Sequence, residues 1–507
     1  MTPPKRPRWS KHINDLPQEL LERILDNLPL SDRKAASLVC RRWSLEAFSP
    51  HCLSELVKLM LISRRVDAEE YEVILLESCR RYRNILVVAQ GFPECTTNDL
   101  RFLLTILSKF GTNVACFDTE HILYTPEQLQ KILLKMPNLK RLSANIITDS
   151  SHVAEDDPEE FPVLRELTEW HSLGLGCIFD FEQLDLLRVA PKLNRLSVNA
   201  SNCLDTQRAR QTMKALGPQL KYLKLQANLS SVLSEKVDFR RLETLILDGR
   251  VGDNHEELLP RLLVGMPQLK TLHYDSNIKI PVLRIICQLC PDLRTFAMVT
   301  FDLQVDFFQC LESLNHLKVL EVCGFLNSGS LERCGPLVGV KSLIFHFYKS
   351  IPDTKVFLAS LKRVFPVLES LTVKGTYCFP IENILVQHIC ETVCHLRELS
   401  IDTGGGAVSP NVDDNTTKVN SGPLKDRLRL QELTLKRLPL AVDLLPRCSL
   451  KRLKLHYVAN LSVEIVRQIG KVFPQLCFLE LIECGRVERK NIPAIRRMLP
   501  NCVLHIR

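Results

Sequence analysis

The sequence contains no run of apolar residues that approaches the roughly 18 needed for a membrane-spanning helix. Its opening stretch, MTPPKRPRWSKHIND, is basic and proline-rich, and it does not have the apolar segment of a secretion signal. Neither a membrane protein nor a secreted protein is therefore expected. We predict a soluble intracellular protein of the cytoplasm, the nucleus or both, without a membrane partner.

Sequence motifs of common catalytic sites are also missing. The sequence has no glycine-rich phosphate loop, no HExxH pair of histidines and no nucleophile elbow. Three consecutive glycines, Gly404 to Gly406, lie in a polar stretch without the Lys-Ser or Lys-Thr ending of a phosphate loop. We therefore predict a non-catalytic protein that has no catalytic residues and needs no cofactor.

The 19 cysteines are scattered over 507 residues, which is not the arrangement of a small disulfide-bonded secreted domain. Cys287 and Cys290 have the spacing of two metal ligands, but no second Cys or His pair follows at the distance typical of a zinc finger. Both cysteines also fall in an apolar helical stretch, where a free thiol behaves as a small hydrophobic group. We predict reduced thiols and no metal site.

The net charge of +8 is unevenly distributed along the sequence. Lys5, Arg6, Arg8 and Lys11 contribute half of it before any acidic residue appears. The remaining body is close to neutral, so a nucleic-acid partner is not expected. We predict that residues 1–12 are a disordered basic tail; a nuclear import signal is the alternative interpretation.

A segment of the form L-x-x-L-x-L recurs through most of the sequence, each time after a helical stretch. Its first apolar anchors lie about 26 residues apart on average, which is the spacing of leucine-rich repeats. These anchors are Leu139, Leu164, Leu193, Leu220, Leu242, Leu269, Leu293, Leu317, Val340, Leu368, Leu396, Leu430, Leu450 and Leu476. Each copy combines a period-2 segment, typical of a strand, with a period-3.6 segment, typical of a helix.

Neither element of the repeat can bury its apolar face alone, so successive copies must stack. We predict an α/β fold in which residues 51–507 form a leucine-rich-repeat horseshoe solenoid, with a parallel sheet inside and helices outside. LSELVKLMLI would supply its first strand and LPNCVLHIR its last. Polar insertions at 148–162 and 402–423 interrupt the repeats; loops of this length are functional or disordered, and disorder is the simpler interpretation.

Residues 13–50 differ from the repeats, because they read as three short helices. Pro17 suits the first turn of a helix and Pro29 ends it, while Ser31 can cap a second helix. A third helix, RRWSLEAF, ends before Pro50. Three helices in about 40 residues bury too little surface to be stable alone. One interpretation is that they cap the open end of the solenoid.

The block also resembles an F-box. The elements that carry the resemblance are Leu16-Pro17 followed by Glu19, the apolar stripe up to Leu28, Leu28-Pro29 followed by Asp32, and the closing Val39-Cys40 with Trp43. The sequence departs from the family where Arg33 and Lys34 replace the apolar residue that many F-boxes have there. With its repeats, the whole chain is similar to F-box and leucine-rich-repeat substrate receptors of ubiquitin ligases.

The resemblance implies that the block binds the adaptor subunit of an SCF-type cullin-RING ligase, and through it the cullin and RING subunits. The residues that it implies for adaptor binding are Leu16, Pro17, Leu20, Leu21, Ile24, Leu25, Leu28, Pro29, Val39, Cys40 and Trp43. Some of them are expected to pack inside the block, Trp43 above all. The resemblance further implies that the repeats hold a protein substrate. A non-degradative protein-interaction scaffold is the alternative function.

A position for substrate follows from the repeat, since side chains alternate along a strand. Residues two, four and six places after each anchor should share the concave face of the sheet. This predicts that Lys436, Arg452, Lys454 and His456 gather on two neighbouring strands and contact an acidic or phosphorylated substrate segment. Internal neutralisation by Glu398, Asp402 and Glu480 is the alternative.

Overall fold

The computed structural model of the protein describes residues 13–28, 30–49, 58–62, 68–78, 81–88, 94–146, 161–171, 186–199, 206–226, 237–248, 255–303, 306–326, 331–347, 354–375, 383–403, 428–438, 440, 442, 445–446, 448–485, 487 and 489–506. The predicted tail at 1–12, and nearly all of the predicted insertions at 148–162 and 402–423, lie outside these residues. The chain divides into two compact units, Met1–Gln226 and Ala227–Arg507.

The first unit begins with the predicted three-helix block. A short 3₁₀ turn, Ile13–Asp15, precedes the helices α1 (Gln18–Asp26), α2 (Leu30–Ser37) and α3 (Arg41–Ala47). The helices share a small core of their own. Its members are Leu21, Leu25, Ala36 and Ala47, with the partly buried Leu28, Trp43 and Phe48 packed against them.

The rest of the first unit alternates strands with helices. Its described strands are β1 (Lys58–Ile62), β2 (Asn84–Val88), β3 (Cys116–Tyr124), β4 (Arg141–Ile146), β5 (Glu169–His171), β6 (Arg195–Asn199) and β7 (Tyr222–Gln226). Its described helices are α4 (Ala68–Glu77), α5 (Thr97–Phe110), α6 (Pro126–Leu133), α7 (Leu186–Val189) and α8 (Thr206–Leu216). Each strand pairs in parallel with the next one along the chain.

The second unit continues the same alternation. Its described strands are β8 (Thr244–Asp248), β9 (Thr271–Asn277), β10 (Thr295–Leu303), β11 (Val319–Leu326), β12 (Ser342–Phe347), β13 (Ser370–Gly375), β14 (Glu398–Asp402), β15 (Glu432–Lys436), β16 (Arg452–His456), β17 (Phe478–Ile482) and β18 (Val503–Ile506). Its described helices are α9 (His255–Val264), α10 (Ile280–Leu289), α11 (Asp306–Cys310), α12 (Thr354–Val364), α13 (Asn383–Thr392), α14 (Val463–Val472) and α15 (Ile492–Met498). The strands again pair in parallel and in chain order.

Burial explains why the repeat motif specifies this fold. All 14 predicted anchors are buried, and the apolar residues three and five places later are buried in nearly every strand. Strand β12 illustrates the alternation, since Leu343, Phe345 and Phe347 are buried while the residues between them are partly exposed. The prediction of a parallel leucine-rich-repeat sheet with intervening helices is confirmed. The predicted first and last strands are β1 and β18.

Local capping sets where several helices begin. Thr96 and Asp99 form a reciprocal capping box at the start of α5. Thr125 and Gln128 do the same for α6, whose first residue is Pro126. These side chains satisfy backbone N–H groups that the first helical turn leaves without partners, so each helix begins at a fixed distance from the preceding strand.

One predicted anchor is wrong. Strand β5 pairs with β4 so that Glu169 lies beside Arg141, which aligns Leu167, and not Leu164, with the anchor Leu139. Leu164 is buried too, but its backbone N–H donates to the carbonyl of Val189 before the strand begins. The sequence FPVLREL offers two leucines three residues apart, and β5 is only three residues long, so the periodicity did not distinguish them.

Candidate protein-interaction site

Helix α1 has two apolar faces with different roles. Leu21 and Leu25 are 0% and 1% exposed and form the core of the helical block. Leu20 and Ile24 are 45% and 42% exposed and lie one helical turn apart, on a single face. Of these four predicted adaptor-binding residues, only Leu20 and Ile24 therefore present apolar surface to a partner.

The junction of α2 and α3, and α3 itself, add exposed apolar side chains. Leu38 is 87% exposed, Val39 61% and Leu45 65%. Val39 belongs to the predicted adaptor-binding set, whereas Leu38 and Leu45 do not. The F-box motif in this stretch is carried by Val39, Cys40 and Trp43. Leu38 and Leu45 are not part of that motif, and neither is buried in the core of the block. The signal available in the sequence was a surplus of leucines beyond what the core needs.

The start of the block is tied to its third helix. Trp43 donates from Nε1 to the side-chain oxygen of Asn14 over 2.8 Å, and its ring packs against the core of the block. Arg42 donates from Nη2 to the carbonyl of Leu16 over 2.6 Å and from Nη1 to the carbonyl of Asn14. These bonds hold the Leu16-Pro17 corner against α3. Trp43 therefore serves the structure of the block, as predicted.

The other predicted adaptor-binding residues differ in how far they are exposed to solvent. Pro17 is exposed, and Leu16, Leu28 and Cys40 are partly buried. Pro29 lies outside the described residues.

A polar side chain connects α1 to α3. Gln18 donates to Glu22 over 3.4 Å and to Glu46 over 3.3 Å. Burial and the adjacent Glu22 carboxylate raise the pKa of Glu46.

Arg33 explains how the block accommodates its departure from the family pattern. Its side chain is 1% exposed, and its Nε donates to the carbonyl of Leu28 over 3.2 Å. The guanidinium therefore lies beyond the carboxyl end of α1, where a positive charge is favourable. Lys34 is exposed. A charged side chain thus fills the buried position by turning toward α1, where Nε and Nη2 are hydrogen-bonded and Nη1 is buried without a hydrogen-bond partner in the described part of the chain.

On the repeats, the predicted basic corner has the expected register. Arg452 lies beside Glu432, Lys454 beside Thr434, and His456 beside Lys436. Three of its four cations are already paired. Lys454 contacts Glu432 at 2.5 Å and Arg452 contacts the same carboxylate at 3.6 Å, while His456 contacts Glu480 at 2.7 Å. Of the three carboxylates in the alternative prediction, Glu480 contacts His456, whereas Asp402 contacts Arg437; the carboxylate beside Arg452 and Lys454 is Glu432.

Glu480 connects the last three strands. It accepts a hydrogen bond from His456 on β16 at 2.7 Å and one from His505 on β18 at 2.8 Å. Partial burial opposes ionisation of this carboxyl, yet the bonds from His505 and His456 outweigh it and lower the pKa of Glu480. The carboxylate therefore stabilises the edge of the sheet in its ionised form.

Among the residues that the structure describes, no group of three or more His, Cys, Asp or Glu side chains is arranged to hold a metal ion. No helix in the described part is both long and apolar enough to cross a membrane. Cys287 in α10 and Cys290 just after its end are buried, and burial raises the pKa of each thiol to about 12.

Comparison with known proteins identifies the helical block. Residues 13–45 match the family model of the F-box domain. The chain therefore contains an F-box domain, followed by a parallel sheet of the leucine-rich-repeat type. The match ends inside α3, and the helix continues to Ala47, with Phe48 packed against the F-box core.

No curated protein matches the sequence. Among solved structures, a complex of TLR13 with ssRNA13 is similar over 84% of this chain and 59% of that chain, at 14% identity and a TM-score of 0.48. The chain thus spans less than two thirds of that structure. The leucine-rich-repeat protein LegL7 from Legionella pneumophila is similar over 71% of this chain and 97% of that chain, at 11% identity and a TM-score of 0.35. The Rad7 and Elc1 complex in yeast is similar over 96% and 91%, at 13% identity and a TM-score of 0.32.

Proposed function

We propose that this protein is the substrate-recognition subunit of an SCF-type cullin-RING ubiquitin ligase. The observation that supports the proposal most strongly is an F-box whose buried core is complete while apolar side chains remain outside it. An exposed apolar surface on so small a block is typical of a protein interface. In each unit the repeats supply a polar sheet face for a partner.

In this proposal the F-box binds the adaptor subunit through its exposed apolar residues. These are Leu20, Ile24, Leu38, Val39 and Leu45. Leu21, Leu25 and Trp43 act indirectly, because they hold the helices that carry the exposed residues. Burial of aliphatic side chains at an interface is favourable in proportion to the apolar area removed from water, and no charged partner is required for it.

The proposed role of the chain is positional. The adaptor connects it to the cullin and RING subunits, and the repeats hold a protein substrate close to a ubiquitin-loaded enzyme. Bringing two reactants together in this way accelerates a reaction without any catalytic group of the receptor. We accordingly propose a non-catalytic subunit.

Substrate contact at Lys436, Arg452, Lys454 and His456 stays a prediction. A substrate carboxylate at this corner would have to compete with Glu432 and Glu480 for the same cations. Reversing the charges of Arg452 and Lys454 tests it. If substrate binds there, partners that co-purify with the chain are lost while the adaptor is retained; an unchanged set of partners excludes the corner.

Affinity purification from cells tests the proposed function. A receptor brings down adaptor and cullin, and inhibition of the ligase stabilises at least one co-purified protein. The alternative function is a non-degradative scaffold, for which the repeats alone are sufficient. A partner whose turnover is unchanged when this chain is removed supports the scaffold and contradicts the receptor.

A further inference from the structure

Strands β4 to β7 of the first unit, together with the residues just before each strand, carry a cluster of cations. Strand pairing places four side chains in one row, namely Arg141, Glu169, Arg195 and Tyr222. Backbone hydrogen bonds of 2.8 to 3.0 Å connect the preceding residues in a second row, namely Lys140, Thr168, Asn194 and Lys221. A third row, two residues further along each strand, contains Ser143, His171, Ser197 and Lys224. We call these three rows the basic patch.

Charge is not balanced across this patch. Including the neighbouring β3, whose Asp118 lies beside Ser143, the three rows hold five cations and two carboxylates. The corresponding rows across β14 to β18 hold four cations and three carboxylates. Burial, together with the adjacent Arg195 and Arg141, lowers the pKa of His171, so this histidine adds no positive charge near neutral pH.

The cations of the patch are accessible. Lys140, Arg141 and Lys221 are exposed, and 43% of the Arg195 side chain is exposed. Neither Lys140 nor Lys221 has a side-chain hydrogen bond or salt bridge to another residue that the structure describes. These two lysines can therefore bind an anion without first breaking a hydrogen bond in the described part of the chain; Lys140 lies near Glu166, but that carboxylate is hydrogen-bonded to Lys192 at 2.8 Å.

Arg195 shows which kind of anion the patch accommodates. Its guanidinium lies 4.4 Å from the centre of the Tyr222 ring, and its Nε is 3.3 Å from the carboxylate of Glu169. The guanidinium therefore makes a cation–π contact and an ion pair, while its Nε has no hydrogen-bond partner in the described part of the chain. A carboxylate is thus already bound at the centre of the patch, with cations on both sides of it.

The spread of the cations distinguishes an acidic segment from a single phosphate. Neighbouring strands are about 4.8 Å apart, so the distance from Lys140 on the β4 side to Lys221 on the β7 side is roughly 14 Å. One phosphate is held best by cations that converge on it. Alternate side chains of an extended peptide repeat every 6.8 Å or so, and an extended acidic segment therefore meets several of these cations at once.

We propose that the basic patch binds an extended, acidic segment of the protein substrate, rich in Asp or Glu. The proposal rests on the function proposed above, since it names the substrate class of the repeats. It places this contact on the first unit, on a surface different from the predicted corner at β15 and β16.

A labelled peptide of about ten residues, alternating Glu with Ser, is a suitable probe because its length exceeds the patch. We expect the full chain to bind it more weakly as salt is added, since surface charge pairs are screened. Lys140→Glu combined with Lys221→Glu should weaken binding about tenfold. Both lysines are exposed, so the repeats should keep their fold.

Lys131→Glu combined with Lys135→Glu is the matched control, because it makes the same charge change at exposed residues in and just after α6. The control should bind the peptide like the unmodified chain. Equal weakening in both variants, or no weakening in either, overturns the patch. The acidic segment is not the ligand of the patch if the chain binds a singly phosphorylated peptide more than tenfold more tightly than the Glu/Ser peptide. The same conclusion follows if single-stranded oligouridylate binds more than tenfold more tightly than that peptide.

Adaptor co-purification separates this proposal from the proposed function. If the patch variant loses the peptide and keeps the adaptor, both proposals are supported. If the unmodified chain binds the peptide through the patch but never recovers an adaptor, the receptor function fails and the patch stands. If the adaptor is recovered and the peptide is not bound, only the patch fails.

Discussion

Arg33 and Asp26 form a salt bridge between the second and first helices of the F-box, with 2.8 Å between Nη2 and Oδ1. The arginine is buried and the aspartate is partly exposed, so the pair lies at the edge of the F-box core. Asp26 is the last residue of α1, and the same guanidinium also contacts the carbonyl of Leu28. One side chain therefore fixes how the chain turns from α1 into α2.

Removing one partner of this pair should loosen the F-box. Asp26→Ala leaves the buried guanidinium with fewer acceptors, and we expect a loss of about 1–3 kcal/mol in the local stability of the block. Hydrogen exchange across residues 13–49 measures it. Asp32→Ala, a change of another exposed aspartate in the block, is the comparison. Equal protection in the Asp26→Ala variant and the unmodified chain would contradict the assigned role.

The exposed face of α1 should be necessary for adaptor binding. Leu20→Asp with Ile24→Asp places two carboxylates where the proposed interface is apolar, and each desolvated carboxylate costs several kcal/mol without a partner. We expect the adaptor to be lost from purified complexes while the repeats remain folded. Leu134→Asp with Val264→Asp, at exposed apolar residues of the repeats, should retain the adaptor. Normal adaptor recovery by the α1 variant would refute the interface.

Two of the buried thiols should be chemically inert. The pKa of Cys287 and that of Cys290 are raised to about 12, so almost no thiolate is present at neutral pH. We expect both to resist alkylation in the native protein and to react after unfolding, whereas the exposed Cys477 should react at once. Metal analysis should find no stoichiometric zinc at Cys40, Cys287 and Cys290; one zinc per chain would contradict the prediction.

Acid should remove the contribution of Glu480 to stability. Because its pKa is lowered in the folded state, its stabilising effect is present above the ordinary Glu pKa of about 4.3 and is lost as pH falls through the lower, folded value. Glu480→Gln should therefore cost about 1–2 kcal/mol at neutral pH and progressively less below about pH 4. Thermal unfolding across this pH range measures the difference. Glu464→Gln, at an exposed residue of α14, should show much less effect.

The repeat architecture was predictable from sequence because it depends on a local and periodic signal. Every anchor from Leu193 onward has the predicted register, since a strand buries alternate residues and each repeat restates the pattern. The exception at Leu164 arose where a three-residue strand supplied too few positions to set the period. The sequence thus predicted the register of a strand wherever the strand was long enough for several residues to show the same alternating pattern.

In the F-box too, some features could be predicted from the sequence and others depend on how the helices pack. The motif and the apolar stripe of α1 could be recognised in the sequence, but the separation of Leu21 and Leu25 from Leu20 and Ile24 depends on where α3 packs. The burial of Arg33 likewise depends on Asp26 and Leu28 being within reach of its guanidinium. Sequence spacing does not report such contacts, because helices that are adjacent in the chain can meet at different angles.

Charge pairing across strands was decided by tertiary structure alone. The sequence placed Lys436, Arg452, Lys454 and His456 on neighbouring strands, yet it could not show that Glu432 and Glu480 would bond to three of them. The repeat register does place Lys140 and Lys221, each one residue after an anchor, in one row, but it does not show which charged side chains of that row pair. Residues in different repeats become neighbours only when parallel strands stack in register, and the resulting local field is a property of the sheet.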